Sequence, residues 1–102
     1  MREPGDQLSQ AVVIAKLRQL GPELRGRGIA RLDLFGSVAQ DKARLDSDVD
    51  ILVELSRPMG FEFFDLQEFI AAQLGAPVEL ATRSGMRPRV LIEAEKTLVN
   101  VL

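Results

Sequence analysis

The chain has 102 residues, a typical size for one domain, and we expect residues 1–102 to form a single domain. It carries 13 basic and 15 acidic residues, and this net charge of −2 argues against a broad basic surface for direct nucleic-acid binding. Cysteine and histidine are both absent, which excludes disulfides, thiolate chemistry and any acid–base or zinc site built on histidine.

The sequence shows no sign of membrane insertion or export. No run approaches the roughly 18 consecutive apolar residues that a membrane-spanning helix needs. Arg2 and Glu3 are not followed by the apolar segment of a signal peptide. We therefore expect a cytoplasmic protein that does not associate with membranes.

Helical spacing predicts a first helix that begins near Asp6 as its N-cap and carries Leu8 and Val12 on its apolar stripe. The Gly21-Pro22 pair should interrupt this helix, because proline removes a backbone donor and crowds the preceding turn. A later helix is predicted at Phe61–Leu74, followed by glycine and proline as a stop signal. A final helix should use Pro88 in its first turn.

Alternating polar and apolar residues, or short β-branched runs, predict four strands: Ile29–Phe35, Asp48–Leu55, Pro77–Thr82 and Thr97–Leu102. The last of them should lie at an edge. The order of strands and helices predicts a small mixed β-sheet covered by helices, of the α+β or α/β class.

Two carboxylates open the second predicted strand. Asp48 and Asp50 leave the same face of a strand at roughly 7 Å spacing, and like charges so close repel each other. Mg²⁺ would offset this cost, since it takes one or two carboxylates together with waters and phosphates. Taken alone, however, the pair favours the alternative, in which Asp48 closes a turn and Asp50 is solvated at a strand end.

Gly36 and Ser37 end the first predicted strand, ten residues before Asp48. A glycine at a strand end lets the backbone approach an anion closely, and following N–H groups and a serine hydroxyl can donate to phosphate. An ordinary glycine turn capped by serine is the alternative. The spacing to the acidic pair favours phosphate and metal ligands on neighbouring strands.

Together these residues carry a family resemblance. Leu34-Phe35-Gly36-Ser37, ten residues, and then Asp48-Val49-Asp50-Ile51-Leu52-Val53 resembles the GSx10DxD signature of the DNA polymerase β-like nucleotidyltransferases. The short chain is similar to their minimal (MNT-type) branch, whose members often act as antitoxins beside HEPN-domain toxins. The similarity extends over most of the chain and includes the stretch Gly75-Ala76-Pro77-Val78-Glu79-Leu80.

The resemblance implies a set of site residues. Asp48 and Asp50, with Glu79 as the third carboxylate, would hold two Mg²⁺ ions and form the catalytic centre. Gly36 and Ser37 would cradle the β- and γ-phosphates. Glu79 stands where the family usually has aspartate, and its alternative is a polar residue on a solvent face.

One departure from the family pattern affects triphosphate binding. The family often reads Gly-Ser-x-Ala-Arg-Gly, whereas this chain has Gln40 and Asp41 at the last two positions. A cation is lost and an anion gained. Lys42 or Arg44 would compensate as nucleotide-binding residues, although each alone is also consistent with a solvated loop charge.

Two functions follow from the resemblance. The first is a Mg²⁺-dependent nucleotidyltransferase that moves AMP from ATP, or a nucleotide from another nucleoside triphosphate, to a hydroxyl of a HEPN toxin. The expected acceptor is a tyrosine, and the two proteins are expected to form a hetero-oligomer. The second is a catalytically weak or inactive antitoxin that neutralises its toxin by forming a complex. Gln40, Asp41 and Glu79 motivate the second.

Overall fold

A four-stranded mixed sheet forms the centre of the fold in a computed structural model, which describes residues 9–43 and 47–102. Its strands are β1 (Ile29–Phe35), β2 (Val49–Leu55), β3 (Val78–Ala81) and β4 (Val99–Asn100), in the spatial order β3-β2-β1-β4. β2 and β3 are parallel, and β1 is antiparallel to both β2 and β4. The predicted mixed sheet covered by helices is confirmed.

The described residues also form five helices: α1 (Gln10–Gln19), α2 (Gly21–Gly26), α3 (Gly36–Ala39), α4 (Glu62–Leu74) and α5 (Pro88–Glu95). Gly75 ends α4 in the left-handed conformation (φ 68°), and proline occupies the first turn of α5, as predicted. No helix in the described ranges has the length and apolar character required to cross a membrane.

The start of α1 differs from the prediction. Asp6 and Leu8 lie outside the described residues, and the structure places the N-cap at Ser9, whose hydroxyl accepts a hydrogen bond from the Val12 N–H at 3.1 Å. The core-facing residues of α1 are Val13 and Leu17, whereas Val12 is 63% exposed, so the predicted stripe was wrong at Val12. More than one register of apolar residues is available along this helix, and packing against α2, α4 and the apolar core selects one of them.

The bounds of three strands also differ from the prediction. β2 begins at Val49, so Asp48 lies just before the strand, and β3 is shorter than predicted by one residue at each end. β4 contains only two residues, and Thr97 precedes it, following α5 directly. Regular pairing is confined to the residues that face a neighbouring strand, and this shortens β3 and β4.

The two faces of the sheet have different characters. One face supplies the apolar core, in which Leu34 and Ile51 are fully buried together with Leu66 and Ile70 of α4. On the other face the register places Phe35 of β1 opposite Asp50 of β2, and Asp50 beside Glu79 of β3. Direct strand neighbours project to the same side, so these three side chains form one row across the sheet.

Candidate active site

Asp50 is at the centre of the site. Its backbone pairs in register with that of Glu79, which brings the two carboxyl groups close enough to share a hydrogen bond when one of them carries a proton. Asp50 is half-buried, whereas Glu79 and Asp48 are exposed. The structure therefore brings Asp50 and Glu79 into contact and places Asp48 close enough to affect the charge of Asp50.

The ionisation of Asp50 is strongly affected by these surroundings. Burial, the negative charges of Glu79 and Asp48, and a hydrogen bond with Glu79 together raise the pKa of Asp50 from 3.8 to about 6, and burial contributes most. Within residues 9–43 and 47–102, no lysine or arginine forms an ion pair with any of these three carboxylates. The cluster is electrostatically unfavourable without a cation.

These residues fit a magnesium site of the usual protein type. Among the described residues there is no ready-made group of three acidic, histidine or cysteine ligands arranged around one point. Mg²⁺ does not require such a group, because it commonly takes one or two carboxylates and completes its shell with waters and substrate phosphates. Asp50 and Glu79 supply such a pair, and a cation between them would relieve the repulsion that raises the pKa of Asp50.

Gly36 meets two requirements at the start of α3. Its φ of +74° is unfavourable for other residues, and a Cβ at this position would overlap the Asp50 carboxylate. The Gly36 N–H donates to the Thr97 hydroxyl at 3.1 Å, and that hydroxyl donates to the Ala94 carbonyl at 3.2 Å. The Gly36 N–H therefore already has a partner, whereas the Ser37 hydroxyl forms no side-chain hydrogen bond with any described residue. The Ser37 hydroxyl is thus the more accessible donor for a phosphate.

The two residues that replace the family's Arg-Gly point to different parts of the molecule. Gln40 lines a cavity beside Gly36, and its side-chain amide donates to the Gly36 carbonyl at 3.4 Å. Asp41 instead accepts a hydrogen bond from the Gln10 N–H at 2.9 Å, at the start of α1. The Asp41 carboxylate is thus used to anchor α1, where the positive end of a helix stabilises an anion.

The two basic residues expected to compensate are not seen at the site. Lys42 is exposed and lines neither of the cavities that contain Asp50. Arg44 lies outside the described residues. Their assignment as nucleotide-binding residues stays a prediction.

Two cavities meet at Asp50. The larger, about 690 Å³, is bordered by Glu79, Phe63 of α4, and the segment between β3 and α5, including Arg87. The smaller, about 250 Å³, lies between Gly36 and α5. Both are lined by Asp50, and together they reach the size range of sites for small molecules and cofactors.

Sequence reasoning did not identify two residues that the fold brings to this site. Thr97 was assigned to an edge strand, and Arg87 was given no role. Thr97 contacts a glycine 61 positions away, and Arg87 reaches the cavity because of the path of the chain between β3 and α5. No local pattern could indicate either contact, because both depend on tertiary packing.

Several known proteins are similar to this chain in sequence. The nucleotidyltransferase domain family matches residues 13–100. Protein adenylyltransferase MntA of Thermococcus cleftensis is 40% identical over 67 residues, which cover 64% of this chain and 68% of that protein. A candidate protein adenylyltransferase of Methanocaldococcus jannaschii, MJ0435, is 33% identical over 88 residues, covering 79% of this chain and 92% of that protein.

Solved structures share the same fold. A candidate minimal nucleotidyltransferase superposes with a TM-score of 0.77 at 25% identity, covering 93% of this chain and 98% of that one. A chain from the complex of a tri-AMPylated Shewanella oneidensis HEPN toxin with its MNT antitoxin superposes with a TM-score of 0.67 at 19% identity, covering 91% of this chain and 71% of that one. At such low identity the second likeness concerns the fold alone.

Proposed function

The chain belongs to the nucleotidyltransferase domain family, and from that membership we propose that it transfers AMP from ATP to a hydroxyl of a partner HEPN toxin and thereby acts as an antitoxin. The contact between Asp50 and Glu79, at the point where the two cavities meet, is the observation that carries this proposal. It places paired carboxylates where a nucleotide and an acceptor could both reach them.

Each side chain has a defined part in the proposed transfer. Mg²⁺ bound by Asp48, Asp50 and Glu79 would neutralise charge on the phosphate oxygens and lower the pKa of the acceptor hydroxyl. At neutral pH Asp50 is ionised, because its pKa of about 6 lies below the solution pH. Ser37 would donate to a phosphate oxygen from the first turn of α3.

Glu79 is the residue best placed to take the proton of the acceptor. Its side chain is exposed and lines the larger cavity, so a hydroxyl that enters from solvent can reach it. The acceptor oxygen forms a bond to the α-phosphorus, the bond to pyrophosphate breaks, and the hydroxyl proton passes to Glu79. The products are the AMP-modified acceptor and pyrophosphate.

A tyrosine of a partner protein is the proposed acceptor. Phe35, Phe63 and Val90 give the larger cavity apolar walls, which suit the ring of a phenol. MntA is named as a protein adenylyltransferase, and the Shewanella oneidensis complex contains an AMP-modified HEPN toxin. These relatives support a hetero-oligomer of this chain with a HEPN toxin.

The transfer can be tested with labelled nucleotides. Incubation with a HEPN toxin, Mg²⁺ and ATP labelled at the α-phosphate should label the toxin, whereas ATP labelled at the γ-phosphate should not. Asp50→Asn should abolish transfer, and Asp65→Asn, on α4 and outside both cavities that contain Asp50, should leave it intact. Equal labelling by wild type and Asp50→Asn would show that the carboxylate cluster does not catalyse transfer.

Neutralisation by binding alone is the second candidate function. The carboxylates repel one another in the absence of a cation, the Gly36 N–H is already paired with Thr97, and Gln40 supplies no charge for a phosphate. This candidate predicts that a variant with Asp48→Asn and Asp50→Asn still protects cells from the toxin. Loss of protection with an intact complex would exclude it.

A further inference from the structure

The proposed reaction brings a highly charged anion to a site that is itself negative. Four carboxylates lie at or beside the cavities, those of Asp48, Asp50, Glu79 and Glu93. The position where the family often has arginine is Gln40. Two Mg²⁺ ions would offset only part of this charge, since a bound triphosphate adds roughly three to four negative charges. A protein cation near the phosphates would therefore strengthen binding.

Arg87 is the candidate for that cation. Among the described residues that line either cavity at Asp50, it is the only lysine or arginine. It shares the wall of the larger cavity with Asp50 and Glu79. A cavity of about 690 Å³ has the volume of a sphere roughly 11 Å across, which is enough for one phosphate group between a bound cation and a guanidinium.

The charge of Arg87 is not used elsewhere in the described part of the chain. Its guanidinium forms no ion pair and no side-chain hydrogen bond with residues 9–43 or 47–102. Arg83, four residues earlier, is the opposite case, because it lies 3.5 Å from carboxylate oxygens of both Glu54 and Glu95. Arg83 connects β2 to α5, whereas Arg87 remains available for a ligand.

Backbone hydrogen bonds and backbone conformation fix the position of the Arg87 Cα. Arg87 is the N-cap of α5, with an extended conformation (φ −65°, ψ 142°) that the following Pro88 also favours. Its carbonyl accepts the first hydrogen bond of the helix, from the Leu91 N–H at 2.9 Å. The turn before it is closed by the Gly85 N–H, which donates to the Thr82 carbonyl at 3.1 Å.

We propose that Arg87 binds a phosphate of the nucleoside triphosphate and supplies the positive charge that Gln40 does not. This inference rests on the proposed nucleotidyl transfer. A guanidinium presents a planar fork of donors that can engage two phosphate oxygens at once. Phosphate is favoured over an acidic surface of the partner protein, because Arg87 shares a cavity wall with the carboxylates that would hold the metal–phosphate complex.

The experiment is a calorimetric titration of the full chain with adenosine, AMP, ADP and ATP in the presence of Mg²⁺. Arg87→Gln should weaken ATP binding by about tenfold to a hundredfold, as expected for loss of a charge-assisted contact, and should leave adenosine binding unchanged. Arg87→Lys should recover part of the loss. Arg89→Gln is the matched control, because Arg89 is an exposed arginine of the same helix that lines neither cavity, and its affinity for ATP should match wild type.

Other outcomes would overturn the inference in distinguishable ways. If Arg87→Gln binds ATP as wild type does and still labels the toxin, Arg87 is not a phosphate ligand, although the proposed function stands. If ATP affinity is unchanged but the KM for the toxin rises, Arg87 contacts the partner protein instead. If wild type binds no ATP and labels no toxin, both the inference and the proposed function fail.

Discussion

Replacing Asp50 with asparagine should make the metal-free protein more stable at neutral pH while it abolishes transfer. The carboxylate is half-buried beside two other acidic groups, and its raised pKa records the free-energy cost of ionising it in the folded state. Asparagine has nearly the same shape and carries no charge. Its amide can also donate to Glu79, so the contact between the two side chains is retained.

The size of the gain follows from the pKa shift. A rise from 3.8 to about 6 corresponds to under about 3 kcal/mol at 1.36 kcal/mol per pH unit, and solvent screening of this half-exposed group reduces it to about 1–2 kcal/mol. The folded state binds the Asp50 proton more tightly than the unfolded state, so this group stabilises the fold least above pH 6. Its contribution becomes less unfavourable as pH falls from about 6 to about 4.

Thermal unfolding in EDTA at pH 7.5 and at pH 4 tests this reasoning. Asp50→Asn should raise Tm at pH 7.5 by about 4–8 °C for each kcal/mol gained, and most of the difference should disappear at pH 4. Asp48→Asn should give a smaller gain, because it removes only one of the two charges that repel Asp50. Added Mg²⁺ should raise the Tm of wild type more than that of Asp50→Asn. An unchanged or lower Tm for Asp50→Asn at pH 7.5, or an equal gain at pH 4, would refute the electrostatic account.

Three other substitutions test contacts that shape the site. Gly36→Ala should lower the free energy of unfolding, measured in urea, by about 1–3 kcal/mol and should weaken ATP binding, because a Cβ at this position of positive φ would meet the Asp50 carboxylate. Gly60→Ala is the control and should be near neutral, because a Cβ there has open space. Equal losses in the two variants would argue against the close approach of Gly36 to Asp50. Thr97→Val should cost about 1–3 kcal/mol by leaving the Gly36 N–H unpaired, whereas Thr97→Ser should retain most of the stability; a valine variant as stable as wild type would count against this hydrogen bond. Asp33→Ala should accelerate hydrogen exchange at the backbone amides of Val99 and Asn100, since the buried Asp33 carboxylate accepts a hydrogen bond from the side-chain amide of Asn100 at 2.9 Å. Unchanged exchange would show that this bond does not hold β4.

The fold was largely predictable because local chemistry and tertiary packing agree over most of the chain. Ile29–Phe35 alternates clearly and ends at a glycine, and the structure gives β1 those bounds. The helix before Gly75 is likewise fixed by its apolar stripe and its stop signal. At α1 the agreement breaks down, because more than one apolar stripe is available and only packing into the apolar core decides that Val13 rather than Val12 is buried.

Asp33 shows a further limit of alternation. The strand pattern places it on the polar face, and the structure does so, but its side chain is 1% exposed. Arg31 and Asn100 both donate to this carboxylate, at 3.1 and 2.9 Å. A period of two residues reports which face a side chain takes, and it cannot report what covers that face.

The candidate site, like the fold, was only partly predictable from the sequence. The signature spacing and the family resemblance indicated Asp48, Asp50 and Glu79, and the sheet register brings Asp50 and Glu79 into contact. The direction of Asp41 towards α1 and the contribution of Thr97 depend on segments far away in the sequence. Only the three-dimensional structure reveals them.

The intact mass of the HEPN toxin, measured after co-incubation with this chain, ATP and Mg²⁺, tests the proposed transfer most directly. The toxin should gain the mass of one or more AMP groups on a hydroxyl side chain, and Asp50→Asn, mixed at the same concentration, should add none. A toxin that is neutralised by the wild-type chain but keeps its unmodified mass would contradict the transfer of AMP and leave neutralisation by binding as the function.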